Sequence, residues 1–169
     1  MKSVVDILKR AEVFLGLDDT ALSRIAALPS CRVASYVGGQ VFFRANDEAE
    51  NIFILQDGEV RLVTEIPDKT GENFELIVID KLTRGSFFGW SALTEPHRYV
   101  MSGVCYKPST VVIIRGEDLL ELFASDYYLG YKVYQYMSRI IGNRLRDMEQ
   151  VLIKGERRPF FTKRPPRTV

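Results

Sequence analysis

The spacing of apolar residues changes twice along this chain. Across SVVDILKRAEVFL, residues 3–15, Val4, Ile7, Leu8, Ala11 and Leu15 share one face of a 3.6-residue period, which predicts a helix. In GLDDTALSRIAALP, Asp18 is placed to cap a second helix and Asp19 suits its first turn. Leu22, Ile25 and Leu28 form its apolar face, and Pro29 ends it. From about 31 to 115 the spacing becomes that of strands. CRVASYV, QVFF, NIFILQ, EVRLVTEI, FELIVID and STVVIIR are short runs rich in Val, Ile and Phe. Gly38-Gly39, Asn46-Asp47, Asp57-Gly58, Pro67 to Gly71 and Lys107-Pro108 punctuate them, and QDGEV predicts a tight hairpin. Many short strands in one stretch predict an antiparallel β-roll or jelly roll, so the fold class is α+β and mainly β.

After Arg115 helical spacing returns. GEDLLELFAS predicts a short helix that breaks near Ser125-Asp126, and residues 127–153 form one long proline-free helix. Tyr134, Met137, Ile141, Leu145, Met148 and Leu152 run along it as a near-heptad seam with one slip. A seam of that length extends beyond what a small barrel covers, so a parallel homodimer through this helix is expected. The division expected is therefore a domain over 1–153 and a basic, disordered tail over 154–169.

Composition changes this picture little; charge changes it more. The 169 residues are 46% hydrophobic and 27% charged, with a net charge of +1, as in an ordinary globular protein. From Lys154 onward there are six bases and one acid, whereas the preceding residues hold seventeen bases and twenty-one acids. The tail therefore reads as a solvated segment or as a docking element for an acidic partner. Cys31 and Cys105 form no CxxC pair and read as reduced thiols. MKSVVDILKR has no apolar signal core and no run reaches membrane-span length, so a cytoplasmic protein without a membrane span is expected. His97 is the single histidine, which leaves no ligand set for a metal-dependent jelly-roll enzyme; no metal site and no catalysis are expected.

Two stretches carry candidate chemistry. GGQVFFRANDEAENIFILQDGEVRLV holds Gly39-Gln40, Val41 to Phe43, Asn46-Asp47, Ile52 to Leu55 and Gly58 in an order that resembles cyclic-nucleotide-binding domains of the catabolite-activator type. Asn46 stands where that family usually has glycine, and asparagine tolerates the left-handed turn well. GSFFGWSALTEPHR falls where the family keeps its phosphate-binding cassette: Phe88-Gly89, Ala92-Leu93, Pro96 and Arg98 match it. The resemblance covers residues 5–152. It implies a ligand set of Phe88, Gly89, Trp90, Ser91, Ala92, Arg98 and Tyr99, with Arg144, Met148 and Glu149 on the base side or dimer side. It also implies a small-molecule effector, cAMP, cGMP or another small anion. The chemistry agrees: free N–H groups at a helix start, a glycine that lets backbone approach, and a guanidinium together hold an anion.

Two positions depart from the pattern. Trp90 stands where the family has the glutamate that the resemblance makes the acceptor of the ribose hydroxyl, and an indole has no acceptor. Tyr99 fills a slot usually held by Ser, Thr or Ala. Trp90 then reads as a core or lid residue, and Arg98 either binds an anion or is a turn arginine, exposed or paired with Glu95. Seventeen residues follow Leu152, too few for a helix-turn-helix, so DNA readout of that kind is not expected. The expected function is a non-enzymatic ligand-sensing regulatory domain acting through its dimer or an unknown protein partner. The alternative is a degenerate fold kept as a dimerisation and protein-interaction scaffold.

Overall fold

The computed structural model describes residues 3–154 except 68–69 and 71–73, with side chains to residue 150. The tail expected from 154 onward lies, beyond Lys154, outside the described residues. The chain opens on helix α1 (Val4–Leu8), whose capping box pairs the Ser3 hydroxyl with the Asp6 N–H and the Asp6 carboxylate with the Ser3 N–H. The helix predicted through Leu15 stops at Leu8. A separate 3-10 turn, Glu12–Phe14, follows, and Leu15 is left 56% exposed. Tertiary bonds explain the break. The Glu12 N–H donates to the Gly85 carbonyl (3.0 Å) and its carboxylate accepts from the Phe87 N–H (2.8 Å), which a continuous helix would misdirect. Helix α2 (Asp19–Ala26) follows the pattern: Asp18 caps it at the Ala21 N–H (2.8 Å), and Leu22 and Ile25 are buried.

Six antiparallel strands form the roll: β1 (Arg32–Tyr36), β2 (Val41–Phe43), β3 (Asn51–Pro67), β4 (Phe74–Leu82), β5 (Phe87–Phe88) and β6 (Ser102–Arg115). The sheet order is β1-β6-β3-β4, with β2 on β6 and β5 on β3. QDGEV makes no hairpin. β3 runs through Asp57-Gly58 and β6 through Lys107-Pro108, and the two pair along most of their lengths. Their register shifts around residues 55–60, so the turn residues form bulges at which both strands bend together. Gly58 has φ 99°, and a Cβ there would collide with the Pro108 carbonyl and with Ser109. Local turn chemistry survives, but pairing with β6 keeps β3 one strand.

At the bend, Glu59 is a covered carboxylate. Arg61 (3.0 Å), Lys107 (3.3 Å) and Lys81 (3.4 Å) surround it. Burial alone pushes its pKa up. Hydrogen bonds from Arg61 and Lys107, and the charge and hydrogen bond of Lys81, outweigh that and hold it below its ordinary value.

Helix α3 (Gly116–Ser125) stops at Asp126, as its sequence predicts, and α4 (Tyr127–Lys154) follows at once. Leu129, Val133, Met137, Ile140 and Arg144 of α4 are buried, and the helix packs on α3 and on the 3-10 turn Glu12–Phe14. A second face carries Tyr127, Tyr131, Tyr134, Ser138, Ile141, Leu145 and Met148, spaced alternately by four and three residues, with Leu145 56% exposed. This corrects the predicted seam. Met137 turns inward and Ser138 takes its place, so the slip disappears once the two faces are separated.

Because the carboxyl of Glu59 is held below its ordinary 4.5 in the folded chain, its contribution is complete above that pH and is lost as pH falls through the depressed folded value. Urea midpoints should therefore show Glu59→Gln less stable than wild type at neutral pH, with the difference shrinking below pH 4.5. A difference that stays constant with pH contradicts this.

Candidate functional site

Strand β5 ends at Gly89, and the chain there must turn under β3. Gly89 has φ 80°, and a Cβ would lie 2.8 Å from the Asn51 carbonyl and 3.0 Å from the Phe53 ring. The 3-10 turn Trp90–Leu93 follows. Ser91, Ala92 and Leu93 are buried and Trp90 is half-buried. Past Pro96 and His97, the chain is stitched to the loop before β3. His97 accepts from the Ala49 N–H (2.8 Å), and Tyr99 accepts from Asn46 (2.7 Å) and donates to Asp47 (3.0 Å). Asn46 adopts the left-handed conformation, φ 70°, that its place in the sequence requires.

Gly89, Trp90, Ser91, Tyr99, Phe43 and Leu62 surround a cavity of about 20 Å³. That is room for water, far below the several hundred Å³ of a usual ligand pocket. Tyr99 is one reason. Its ring stacks on Phe43 at 3.8 Å and it is 5% exposed. Its hydroxyl donates to the Asn51 carbonyl (2.8 Å) and accepts from the Asn51 N–H (3.2 Å). Burial pushes the phenol pKa up to about 12, against the opposing pull of the Asn51 hydrogen bond. Phe88 lies deeper, stacked on Phe53 at 5.0 Å.

Arg98 is exposed, and its guanidinium takes the Asn46 carbonyl as acceptor (2.7 Å) in preference to Glu95; it does not line the cavity. His97, half-buried with φ 53°, borders a separate open depression of about 600 Å³ together with Glu48, Glu50, Arg115, Glu117 and Glu121. Among the described residues no group of His, Cys, Asp and Glu is arranged to hold a metal ion. Cys31 and Cys105 are free thiols, and burial pushes Cys31 up to about 11.

A buried polar cluster packs on Trp90. Arg144, with a side chain 9% exposed, donates from Nε to Asp80 (2.7 Å) and from Nη2 to the Phe87 carbonyl (2.6 Å). Glu12 stands 3.5 Å from Nη2, and the guanidinium lies over the Trp90 ring at 4.8 Å. Nη1 is buried without an acceptor. Met148 is half-buried one turn on, and Glu149 is exposed. A second tie to the cassette is the Tyr134 hydroxyl, which donates to the Leu93 carbonyl (3.0 Å). Sequence reasoning missed Glu12, Asp80, Phe43 and Tyr134 as parts of this region. Asp80 did leave a signal: in FELIVID-KL it shares strand parity with Leu82, and an acid on an inward face needs a buried partner.

Two substitutions test this packing in urea unfolding. Tyr99→Phe leaves both Asn51 backbone groups short of a partner and should lower stability by about 1–2 kcal/mol. Gly89→Ala forces a side chain into left-handed backbone against Asn51 and Phe53 and should lower it by about 1–3 kcal/mol. Stability unchanged within error in either variant contradicts the geometry.

The fold recurs in known structures. A protein of Geobacter metallireducens GS-15 assigned to cyclic nucleotide binding is 28% identical, with a TM-score of 0.70 over 86% of this chain and 99% of that one. A cyclic nucleotide-binding domain from Methylobacillus flagellatus KT matches at 18% identity and a TM-score of 0.74, over 90% of this chain and 82% of that one. The regulatory domain of Toxoplasma gondii PKA, crystallised with cAMP, matches at 16% identity and a TM-score of 0.67, over 83% of this chain and 49% of that one. No match was found among curated proteins. No helix among the described residues is long and apolar enough to cross a membrane. The model of the cyclic nucleotide-binding domain matches residues 33–126, from β1 to the start of α4, and the chain belongs to that family.

Proposed function

We propose that the chain is a non-catalytic regulatory domain that senses a small anionic effector, a cyclic nucleotide or a relative, at the cassette Phe88–Ala92 with Arg98 and Tyr99, beneath α4. The observation that carries this reading is the double tie between cassette and helix: Tyr134 bonds the Leu93 carbonyl and Arg144 lies on Trp90. A ligand that moves the cassette therefore acts on α4. Family membership and the cAMP-bound relative support a cyclic phosphodiester as the effector class. With a cavity of about 20 Å³, the ligand enters only if Trp90, Tyr99 or both give way. In this reading Arg144, Met148 and Glu149 supply the contacts from α4.

The heptad face of α4 supports a parallel homodimer as the output device. Tyr127, Tyr131 and Leu145 are exposed on it, and Gly142 beside it has open space around its Cα. The scaffold reading rests on a different observation: the Phe43–Tyr99 stack fills the space a ligand needs.

Thermal-shift and calorimetric titration with cAMP, cGMP and inorganic phosphate separates the two. The sensing reading expects one nucleotide to stabilise the protein, by about 2.7 kcal/mol at a hundredfold excess over its Kd, and Arg98→Ala to weaken binding roughly tenfold to a hundredfold. No shift with any of them supports the scaffold and rejects the sensor. For the dimer, Leu145→Glu should convert a sedimenting dimer to monomer without lowering helix content. A wild-type monomer at micromolar concentration rejects that part.

A further inference from the structure

In the unliganded chain Arg144 holds neighbouring pieces of the fold together. Asp80 at 2.7 Å and Glu12 at 3.5 Å already balance its charge. What remains is a planar cation, nine-tenths buried, that joins four separate pieces of chain. It belongs to α4, reaches Asp80 on β4, the Phe87 carbonyl on β5 and Glu12 on the N-terminal 3-10 turn, and covers the Trp90 ring of the cassette. Of these contacts only Trp90 belongs to the cavity wall. Asp80, Glu12 and Phe87 are anchored independently, Phe87 by full burial and Glu12 by the Phe87 N–H. Glu12, Asp80 and Trp90 are all half-buried, but Trp90 alone stands on the cavity wall, and hence is the one that a ligand can displace.

Nη1 sharpens the point. It is buried and has no acceptor, so the indole ring under the guanidinium is the group's remaining attractive neighbour. Removing the indole leaves that donor with neither an acceptor nor a ring, and the arrangement then favours release of the helix turn that carries it. Ile140, one turn earlier, is the last buried apolar residue of α4 among the described side chains, so beyond it Arg144 is the main inward anchor.

We infer that Arg144 is a positioning residue that couples the placement of Trp90 to the docking of α4 beyond Ile140: with the indole beneath the guanidinium this segment is held on the roll, and with the indole displaced it is released. The inference draws its purpose from the sensing reading above, but the coupling is a property of the unliganded chain and is measured there.

Trp90 is the single tryptophan, so its emission reports this contact alone. The experiment compares wild type, Arg144→Lys, Arg144→Gln, Trp90→Leu and the Trp90→Leu/Arg144→Lys double variant, all full-length and without effector. It records tryptophan emission, acrylamide quenching and backbone hydrogen exchange. Both Arg144 variants should red-shift the emission and expose the indole to quencher. Trp90→Leu should speed amide exchange in α4 beyond Ile140 roughly tenfold, with β3 and β6 at wild-type rates. The double variant should exchange little faster than either single one, because both break the same contact. Unchanged α4 exchange in Trp90→Leu overturns the inference, as does full additivity, or a loosening of β3 and β6 alongside α4. Should Arg144→Gln fail to fold, Arg144→Lys keeps the charge, loses the planar fork and carries the same readings. A nucleotide titration that fails leaves this result standing, and the reverse holds too.

Discussion

A guanidinium taken out of water is tolerable only where its surroundings replace the solvent, and the Arg144 pocket meets that demand with parts from across the chain. Asp80 and the Phe87 carbonyl take the two short bonds, Glu12 contributes charge from 3.5 Å, and Trp90 offers a π face. Losing one partner of such a buried pair destabilises by about 3–5 kcal/mol, because the other is left uncompensated. The requirement therefore fixes more than one helix. It sets how α4 lies on the roll, why the first helix stops in time to present Glu12, and which side of Trp90 faces the helix.

The cassette is shaped by the same economy of space. Gly89 brings backbone to within a side chain's width of Asn51 and Phe53, and Tyr99 then fills the room left between that turn and Phe43. A phenol whose oxygen both donates to and accepts from Asn51 is well satisfied where it stands. A ligand must replace aromatic packing as well as hydrogen bonds. A cation–π contact is worth about 0.5–2 kcal/mol and a hydrogen bond to a charged group about 1.5–3 kcal/mol. In the sensing reading, the balance between closed and occupied cassette thus lies within reach of an ordinary effector.

The roll beneath depends on the bend shared by β3 and β6. Gly58 sits against Pro108 and Ser109, and the Ser109 hydroxyl accepts from the Glu59 N–H (3.2 Å). One pair of strands thereby serves both ends of the roll. The lower half of β3 carries Phe53 and Ile54, which pair with β5 and hold the cassette; the upper half pairs with β4, which supplies Asp80.

Local signals determined much of this protein. The Asp18 cap, the break at Asp126, the left-handed Asn46 and the coarse succession of helical, β and helical stretches are legible, because each depends on residues within a few positions of one another. The stretch Phe88–Arg98 stands out by its resemblance to a family motif, and within it Gly89 takes the left-handed turn that a glycine permits. The rest was decided in three dimensions. Whether Asp57-Gly58 is a hairpin or a bulge depends on β6, fifty residues away, supplying a continuous partner. Whether Met137 or Ser138 belongs to the outer seam depends on which side of α4 meets the roll. Arg98 and Arg144 look alike in sequence, yet one turns to a nearby carbonyl at the surface and the other is drawn inside by Asp80 and Phe87, because long-range partners, and not the residue itself, decide where a charge can be buried.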